Sequence, residues 1–198
     1  MIENALQQAY DAFRIEAESL AETAKVLDRE QLRLAVEALS KAERIGASGC
    51  GHSGIACRHF AHLMCCIERP ARFISPADAV HGALGYMKKG DVMLLVSRGG
   101  KTDELLTIAD VCKTKGATLI AVTENLESPL ATMADIVLAM KVTKECDKYN
   151  CQGTTSFAVT NAIFDALQTA VLDYTGYQKM DFALIHPGGA VGKRLNNK

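Results

Sequence analysis

The sequence is poor in several features that would mark particular classes of protein. It has 198 residues with four prolines and no tryptophan, and no segment approaches the roughly 18 apolar residues of a membrane helix. The formal net charge is -1, so no overall positive field is available for nucleic acid. No low-complexity linker interrupts the chain. We therefore expect a single domain over residues 1–198, with neither a membrane nor a nucleic acid as partner.

Metal-binding and secretory patterns are also missing. The seven cysteines contain no pair of CxxC motifs. An odd cysteine count, with no basic and apolar leader at the N-terminus, predicts reduced thiols in the cytoplasm. His59 and His62 lie three residues apart on a predicted helix, but no second ligand group is spaced like a known site. We therefore predict a cytoplasmic protein without a metal.

Two glycine-rich loops are the most informative features that are present. Residues 48–54 form the first loop, SGCGHSG, and residues 97–102 form the second loop, SRGGKT. Each follows an apolar run and leads into a helical pattern, so backbone N–H groups and the positive end of a helix dipole can bind an anion. Serine and threonine hydroxyls add donors. Two such loops predict a compact anionic ligand, most simply a phosphorylated metabolite.

The first loop also matches the GxGxxG pattern of dinucleotide-binding proteins through Gly49, Gly51 and Gly54. That pattern expects an acidic residue at the end of the second strand, where it binds the ribose hydroxyls. The second predicted strand ends in Ser75-Pro76 and has no acid at that point. A nucleotide-binding redox protein is therefore a disfavoured hypothesis.

Apolar strands alternate with helical patterns along the chain. Helical periodicity covers residues 2–26, and Asp28 with Gln31 resembles a capping box before a second helix. The predicted strands are 44–48, 71–74, 91–96, 118–123 and 136–140, and the later helices are 53–67, 103–113, 128–133 and 154–174. This alternation predicts an α/β fold, a parallel sheet of five strands with helices on both faces. A helical prefix over residues 1–40 precedes it and could pack against another subunit.

Candidate chemical groups follow the predicted strands. Ligands of such sheets bind outside the carboxyl ends of the strands, where both loops and Glu145 are expected. His81 and His186 lie in glycine-containing segments. Carboxylates and histidines beside a phosphate cradle are the groups that move a proton next to a carbonyl. The residues alone predict a phosphate-binding α/β domain and leave acid–base catalysis open.

Besides the two loops, the chain contains the segments PADAVHGALG (76–85), GDV (90–92), KEC (144–146), TTS (154–156) and DFALIHPGGAVGKRL (181–195). From about residue 40 onward, this ordered set of motifs resembles the sugar isomerase (SIS) domain family, and most closely its arabinose-5-phosphate isomerase branch. The resemblance implies a flavodoxin-like sheet, assembly as a dimer or tetramer, and active sites commonly completed across subunits. It also implies that an aldose phosphate and a ketose phosphate interconvert through an enediol, without an organic cofactor.

Matched position by position, the resemblance implies a set of site residues. The implied active-site residues are Glu104, Glu145, His81 and His186. The predicted phosphate-binding hydroxyls are those of Ser97, Thr102, Thr154, Thr155 and Ser156, with Ser48 and Ser53 added from the first glycine loop.

The sequence departs from the pattern of that branch in both loops and beyond. His52 occupies the position of an active-site lysine, so we include His52 among the candidate catalytic residues. Gly99 and Lys101 replace a serine and a glutamate, Ala83 replaces an aspartate, and Gly153 replaces a proline. Many relatives continue into two nucleotide-binding regulatory (CBS) modules, which we expect this chain to lack.

Two functions remain in competition. In the first, the protein is a sugar-phosphate isomerase in which His186 or His81 moves protons between oxygens. Glu145 or Glu104 then moves the proton between C2 and C1. In the second, it is a non-catalytic protein that binds sugar phosphates or regulates through them. The retention of all four implied active-site residues favours the isomerase, because binding alone would not need them.

Overall fold

The computed structural model describes residues 1–196 and contains one parallel sheet of five strands. The strands are β1 (Ile45–Gly49), β2 (Ala71–Phe73), β3 (Val92–Val96), β4 (Thr118–Thr123) and β5 (Ile136–Ala139). Their order in the sheet is β2-β1-β3-β4-β5. The predicted fold class is confirmed, and each strand boundary lies within one residue of its prediction.

The described helices account for most of the remaining chain. They are α1 (Ile2–Val26), α2 (Arg29–Lys41), α3 (Gly51–Cys65), α4 (Pro76–Ala79), α5 (Asp103–Thr114), α6 (Pro129–Met133), α7 (Thr155–Thr175), α8 (Lys179–Ile185) and α9 (Gly189–Leu195), with a 3-10 helix at Ala83–Tyr86. The Asp28 carboxylate accepts a hydrogen bond from the Gln31 N–H at 2.9 Å, as the predicted cap of α2 requires. The short elements α4, α8, α9 and the 3-10 helix had no periodic signal in the sequence.

The sheet carries a separate apolar core on each face. Along β3, Val92, Leu94 and Val96 face the core formed with α2, α3 and α7. The alternate residues Met93 and Leu95 face the core formed with α5 and α6. Successive side chains of a strand point to opposite faces, so a central strand covered on both faces is apolar throughout. This explains the unbroken VMLLV run of β3.

The helix α1 packs outside these layers through its second half. The Ser19 hydroxyl lies 2.9 Å from that of Thr143, and the Thr23 hydroxyl donates to the Lys141 carbonyl at 2.9 Å. The first half of α1 exposes an apolar stripe formed by Ile2, Leu6, Tyr10 and Phe13. Among residues 1–196, no helix combines the length and hydropathy that a membrane crossing needs.

The order of the strands creates a crevice at the carboxyl edge of the sheet. β1 and β3 are neighbours, but α3 follows β1 onto one face and α5 follows β3 onto the other. The two glycine loops therefore diverge from adjacent strands. A divergence of this kind is where ligands of doubly wound sheets bind.

Candidate functional site

The first glycine loop separates its two serines. Ser48 is buried, and its hydroxyl donates to the Ile74 carbonyl at 2.7 Å, which joins the end of β1 to the end of β2. Ser53 lies in the first turn of α3 and lines a small cleft together with Ser156. The Ser53 hydroxyl is thus placed at the crevice, whereas that of Ser48 is already used inside the sheet.

The second glycine loop is closed by its own hydroxyls. The Ser97 and Thr102 hydroxyls lie 2.9 Å apart, and the Gly100 N–H donates to the Ser97 oxygen at 3.0 Å. Gly100 has φ +65°, and a Cβ atom there would collide with the Ser128 hydroxyl, so this turn requires glycine. α5 begins immediately after Thr102, and the first N–H groups of a helix have no partner within it. The loop therefore has a fixed turn geometry directly before the N-terminus of α5.

Glu145 follows β5 and is almost completely buried, at 2% exposure. One carboxylate oxygen accepts from Arg98 Nη1 at 2.8 Å. The other accepts from the Thr154 hydroxyl at 3.3 Å and from the Ser156 N–H at 3.2 Å, at the start of α7. Both oxygens are therefore engaged, one by a guanidinium and one at a helix N-terminus, where a negative charge is favoured.

Arg98 links the ends of three adjacent strands. Its Nε donates to Glu124 at 2.8 Å, while its Nη1 donates to Glu145. Burial alone would raise the pKa of Glu124, but hydrogen bonds from Arg98 and the Val142 N–H outweigh it and lower that pKa. Sequence reasoning missed Arg98. The sequence did contain a signal for it, because charged residues follow successive buried strands, Arg98 after β3 and Glu124 after β4.

Glu104 lies in a different setting, in the first turn of α5. It is exposed and lines a cleft of about 420 Å³ with the first glycine loop, Arg58, Phe73 and Ser75. Within the described residues, its carboxylate forms no salt bridge. Glu104 is therefore the accessible acid of the two candidate glutamates.

His52 contacts another position at which the sequence departs from the family pattern. A Cβ atom at Gly153 would lie 2.6 Å from His52 Nδ1, so the absence of a side chain at 153 makes room for the imidazole. The His52 ring is also edge-on to Phe157, with centroids 6.2 Å apart. His52 lines the small cleft beside Ser53 and Arg98. Two changes distant in sequence thus form one contact.

Within one chain, His81 and His186 do not lie beside Glu104. His81 is exposed in the turn after α4 and is not among the residues that line the Glu104 cleft. His186 follows α8, with its ring stacked on Phe182 at 3.7 Å. α7 starts at the site and has 21 residues, a length of about 30 Å. α8 follows the far end of α7, so His186 lies away from Glu104 of the same chain.

The hydroxyls at the start of α7 are used unequally. Thr154 bridges the Cys146 N–H and the Glu145 carboxylate, and the buried Thr155 hydroxyl contacts Cys146 Sγ at 3.3 Å. Ser156 lines the small cleft. The phosphate-binding set remains a prediction. In residues 1–196 no three His, Cys, Asp or Glu side chains are grouped as metal ligands.

Comparison with known proteins identifies the family. The SIS domain model matches residues 38–170, and the chain belongs to that family, as the motifs indicated. Arabinose 5-phosphate isomerase KdsD of Pseudomonas aeruginosa is 40% identical over 152 residues, 77% of this chain and 47% of the relative. Arabinose 5-phosphate isomerase KpsF of Escherichia coli is 40% identical over 148 residues, 75% of this chain and 45% of the relative. The chain spans about half the length of these curated relatives.

Solved structures extend the similarity over almost the whole chain. A Listeria monocytogenes protein, provisionally named a sugar-phosphate isomerase, is 41% identical with a TM-score of 0.91, covering 94% of this chain and 98% of that one. A protein of E. coli CFT073 in complex with A5P is 26% identical with a TM-score of 0.87 and covers 93% and 98% of the two chains. The fold and its approximate length are therefore shared with proteins of similar size.

Proposed function

We propose that this chain is an aldose–ketose isomerase of sugar phosphates, with arabinose 5-phosphate and its 2-ketose isomer as the first candidate pair. The names of the curated relatives and the A5P complex support the substrate class. The Listeria protein supports the reaction class over a matching length. We also propose a cytoplasmic location, which agrees with seven cysteines that are all free thiols.

The observation that carries this proposal is the contrast between the two glutamates. Glu104 is exposed in a cleft that it lines together with the first glycine loop, whereas both oxygens of Glu145 are engaged. A general base must reach the proton that it abstracts. We therefore assign proton transfer to Glu104 and assign to Glu145, with Arg98, the role of a fixed charge pair beside the site.

The chemistry follows from that assignment. The phosphate binds at the start of α5, near Ser97 and Thr102, and the carbon chain extends toward Glu104. Glu104 removes the proton from C2, the C–H electron pair forms the C1=C2 bond of the enediol, and the carbonyl oxygen O1 takes a proton from a histidine. Glu104 then returns its proton to C1, while O2 gives its proton to the histidine that protonated O1 and becomes the ketone oxygen. No redox partner is consumed.

We further propose that a second copy completes the site. His186 lies away from Glu104 of its own chain, and the family resemblance implies sites that subunits share. The apolar stripe on α1 supplies a surface that such an assembly can bury. Light scattering should give a mass above the 21.3 kDa of one chain. A mixture of Glu104→Gln and His186→Ala chains should regain activity that neither variant has alone, because some sites then combine two intact residues.

The direct test of function is conversion of substrate. Purified protein is incubated with arabinose 5-phosphate and with other pentose, hexose and heptulose phosphates, and NMR follows aldose and ketose signals. In deuterated water, the carbon that receives the returned proton should gain deuterium unless Glu104 is shielded from solvent. Binding of sugar phosphates without conversion of any of them would replace the isomerase by a sugar-phosphate-binding protein.

A further inference from the structure

A second groove adjoins the Glu104 cleft along the edge strand β2. It has a volume of about 320 Å³ and is lined mainly by Arg58, Arg72, Phe73, Ser75 and Asp78; we call it the edge groove. Arg58, Phe73 and Ser75 line the Glu104 cleft as well. The two spaces are therefore adjacent, and these three residues lie between them.

Both arginines of the edge groove are stacked on aromatic rings. The guanidinium carbon of Arg58 lies 4.0 Å from the centroid of Phe73, and that of Arg72 lies 5.9 Å from the centroid of Tyr86. Stacking orients a guanidinium plane but leaves the N–H groups at its edge available to an anion. In the described part of the chain, neither guanidinium forms a salt bridge. Arg98, by contrast, is bound to two carboxylates.

The charges of the edge groove suit a phosphoryl group. Two guanidiniums and the Asp78 carboxylate give a local net charge of about +1 at neutral pH. Paired N–H donors match phosphate oxygens in bidentate geometry. Asp78 can only accept hydrogen bonds when ionised, so it suits a sugar hydroxyl next to that phosphate. The groove therefore has donors for an anion and an acceptor for a polyol.

We propose that the edge groove binds a phosphoryl group, separately from the phosphate at Ser97 and Thr102. The group can come from a second phosphate on a sugar bisphosphate that extends out of the Glu104 cleft. It can also come from a separate phosphorylated metabolite that binds beside the substrate. The first source rests on the proposed isomerase function, whereas the phosphoryl site itself does not.

The first experiment measures binding without any reaction. The full chain is titrated with inorganic phosphate while backbone amide shifts are followed by NMR. Two groups of shifts are expected, one near Gly100 and Thr102 and one near Ser75 and Asp78. The double variant Arg58→Gln/Arg72→Gln should weaken the second group at least tenfold and leave the first unchanged.

Two further variants keep this result interpretable. Arg14→Gln/Arg29→Gln removes the same charge from exposed positions outside the groove, and should leave both groups of shifts intact. Arg72→Gln alone changes an exposed side chain on an edge strand and keeps the Arg58 contact with Phe73, so it should fold normally and still weaken phosphate binding. Absence of shifts near Ser75, or shifts that persist in the double variant, would show that these arginines only cover aromatic rings and would overturn the proposal.

The second experiment distinguishes the two sources. With a sugar bisphosphate as substrate, Arg72→Gln should raise KM at least tenfold while KM for the monophosphate stays unchanged, because Arg72 lines the edge groove and not the Glu104 cleft. If instead inorganic phosphate alters the wild-type rate on the monophosphate and the double variant abolishes that effect, the ligand is a separate metabolite. If the protein converts no sugar phosphate, the proposed function is wrong, but the amide-shift experiment still tests the phosphoryl site because it requires no reaction.

Discussion

The two glutamates of the proposed site differ in burial and in the hydrogen bonds that their carboxylates accept. Glu145 is buried and has three donors on its two oxygens, whereas Glu104 is exposed on a cleft and forms no salt bridge within residues 1–196. A carboxylate whose oxygens are already bound contributes a fixed charge. An accessible one can approach a substrate and exchange a proton with it. The proposed function therefore gives two identical side chains different roles.

The largest expected effect is a loss of turnover when Glu104 is replaced. Glu104→Gln keeps the size of the side chain but removes the proton acceptor, so turnover should fall by about a hundredfold or more. The free energy of unfolding should change little, since Glu104 is exposed. Substrate NMR measures the first quantity and urea denaturation the second. Asp110→Asn, an exposed acid later on α5, is the control and should retain activity. A fully active Glu104→Gln would remove Glu104 as the base.

The next effect concerns stability on the Glu145 side. Arg98→Met leaves a buried carboxylate without its cation, which should lower the free energy of unfolding by about 2–3 kcal/mol. A fully buried pair would lose about 3–5 kcal/mol, but the Arg98 side chain is 39% exposed. Arg14→Met breaks only an exposed pair with Asp11 and should cost less than about 1 kcal/mol. Denaturant titration at pH 7 compares the variants.

Two additions make the Arg98 test sharper. Arg98→Met/Glu145→Gln should recover part of the lost stability, because the unpaired charge is gone; strictly additive losses would contradict the buried-pair interpretation. The lowered pKa of Glu124 stabilises the fold above its unfolded pKa, and that contribution disappears as pH falls through the folded value. The difference in the free energy of unfolding between wild type and Arg98→Met should therefore become smaller at acidic pH.

A smaller effect separates the two serines that begin the glycine loops. Ser48→Ala loses a buried hydrogen bond to Ile74 and should lower the free energy of unfolding by about 1 kcal/mol. Its affinity for sugar phosphate, measured by calorimetry, should match wild type. Ser97→Ala is the matched variant and should weaken that affinity. If Ser48→Ala weakens binding as much as Ser97→Ala, both serines belong to the phosphate site.

The smallest effect concerns the contact between His52 and Gly153. Gly153→Ala places a methyl group against the imidazole, which can rotate away, so stability should change by less than about 1 kcal/mol. KM for the substrate should rise severalfold if His52 contacts it. In the His52→Ala background the same substitution should have no effect on KM. An equal rise in both backgrounds would show that residue 153 acts without His52.

The sequence predicted the strands and long helices well because each has its own local period of apolar residues. It could not predict the salt bridges of Arg98, because they depend on β3, β4 and β5 being adjacent in the sheet. The edge groove was missed for a similar reason. Arg58 lies on α3 and Arg72 lies on β2, and neither residue belongs to a recognisable sequence motif. The helices α8 and α9 each have seven residues, too few for a helical period to be recognised.

The attachment of α1 has a consequence for how the protein responds to its own concentration. The second half of α1 is hydrogen-bonded to Lys141 and Thr143, and Cys146 Sγ lies 3.7 Å from the Ala12 carbonyl. Glu145 belongs to this same segment. If a second copy covers the apolar stripe of α1, as proposed above, association and the geometry around Glu145 become thermodynamically linked. Ligand affinity should then rise with protein concentration, and ligand should in turn tighten the assembly by the same factor.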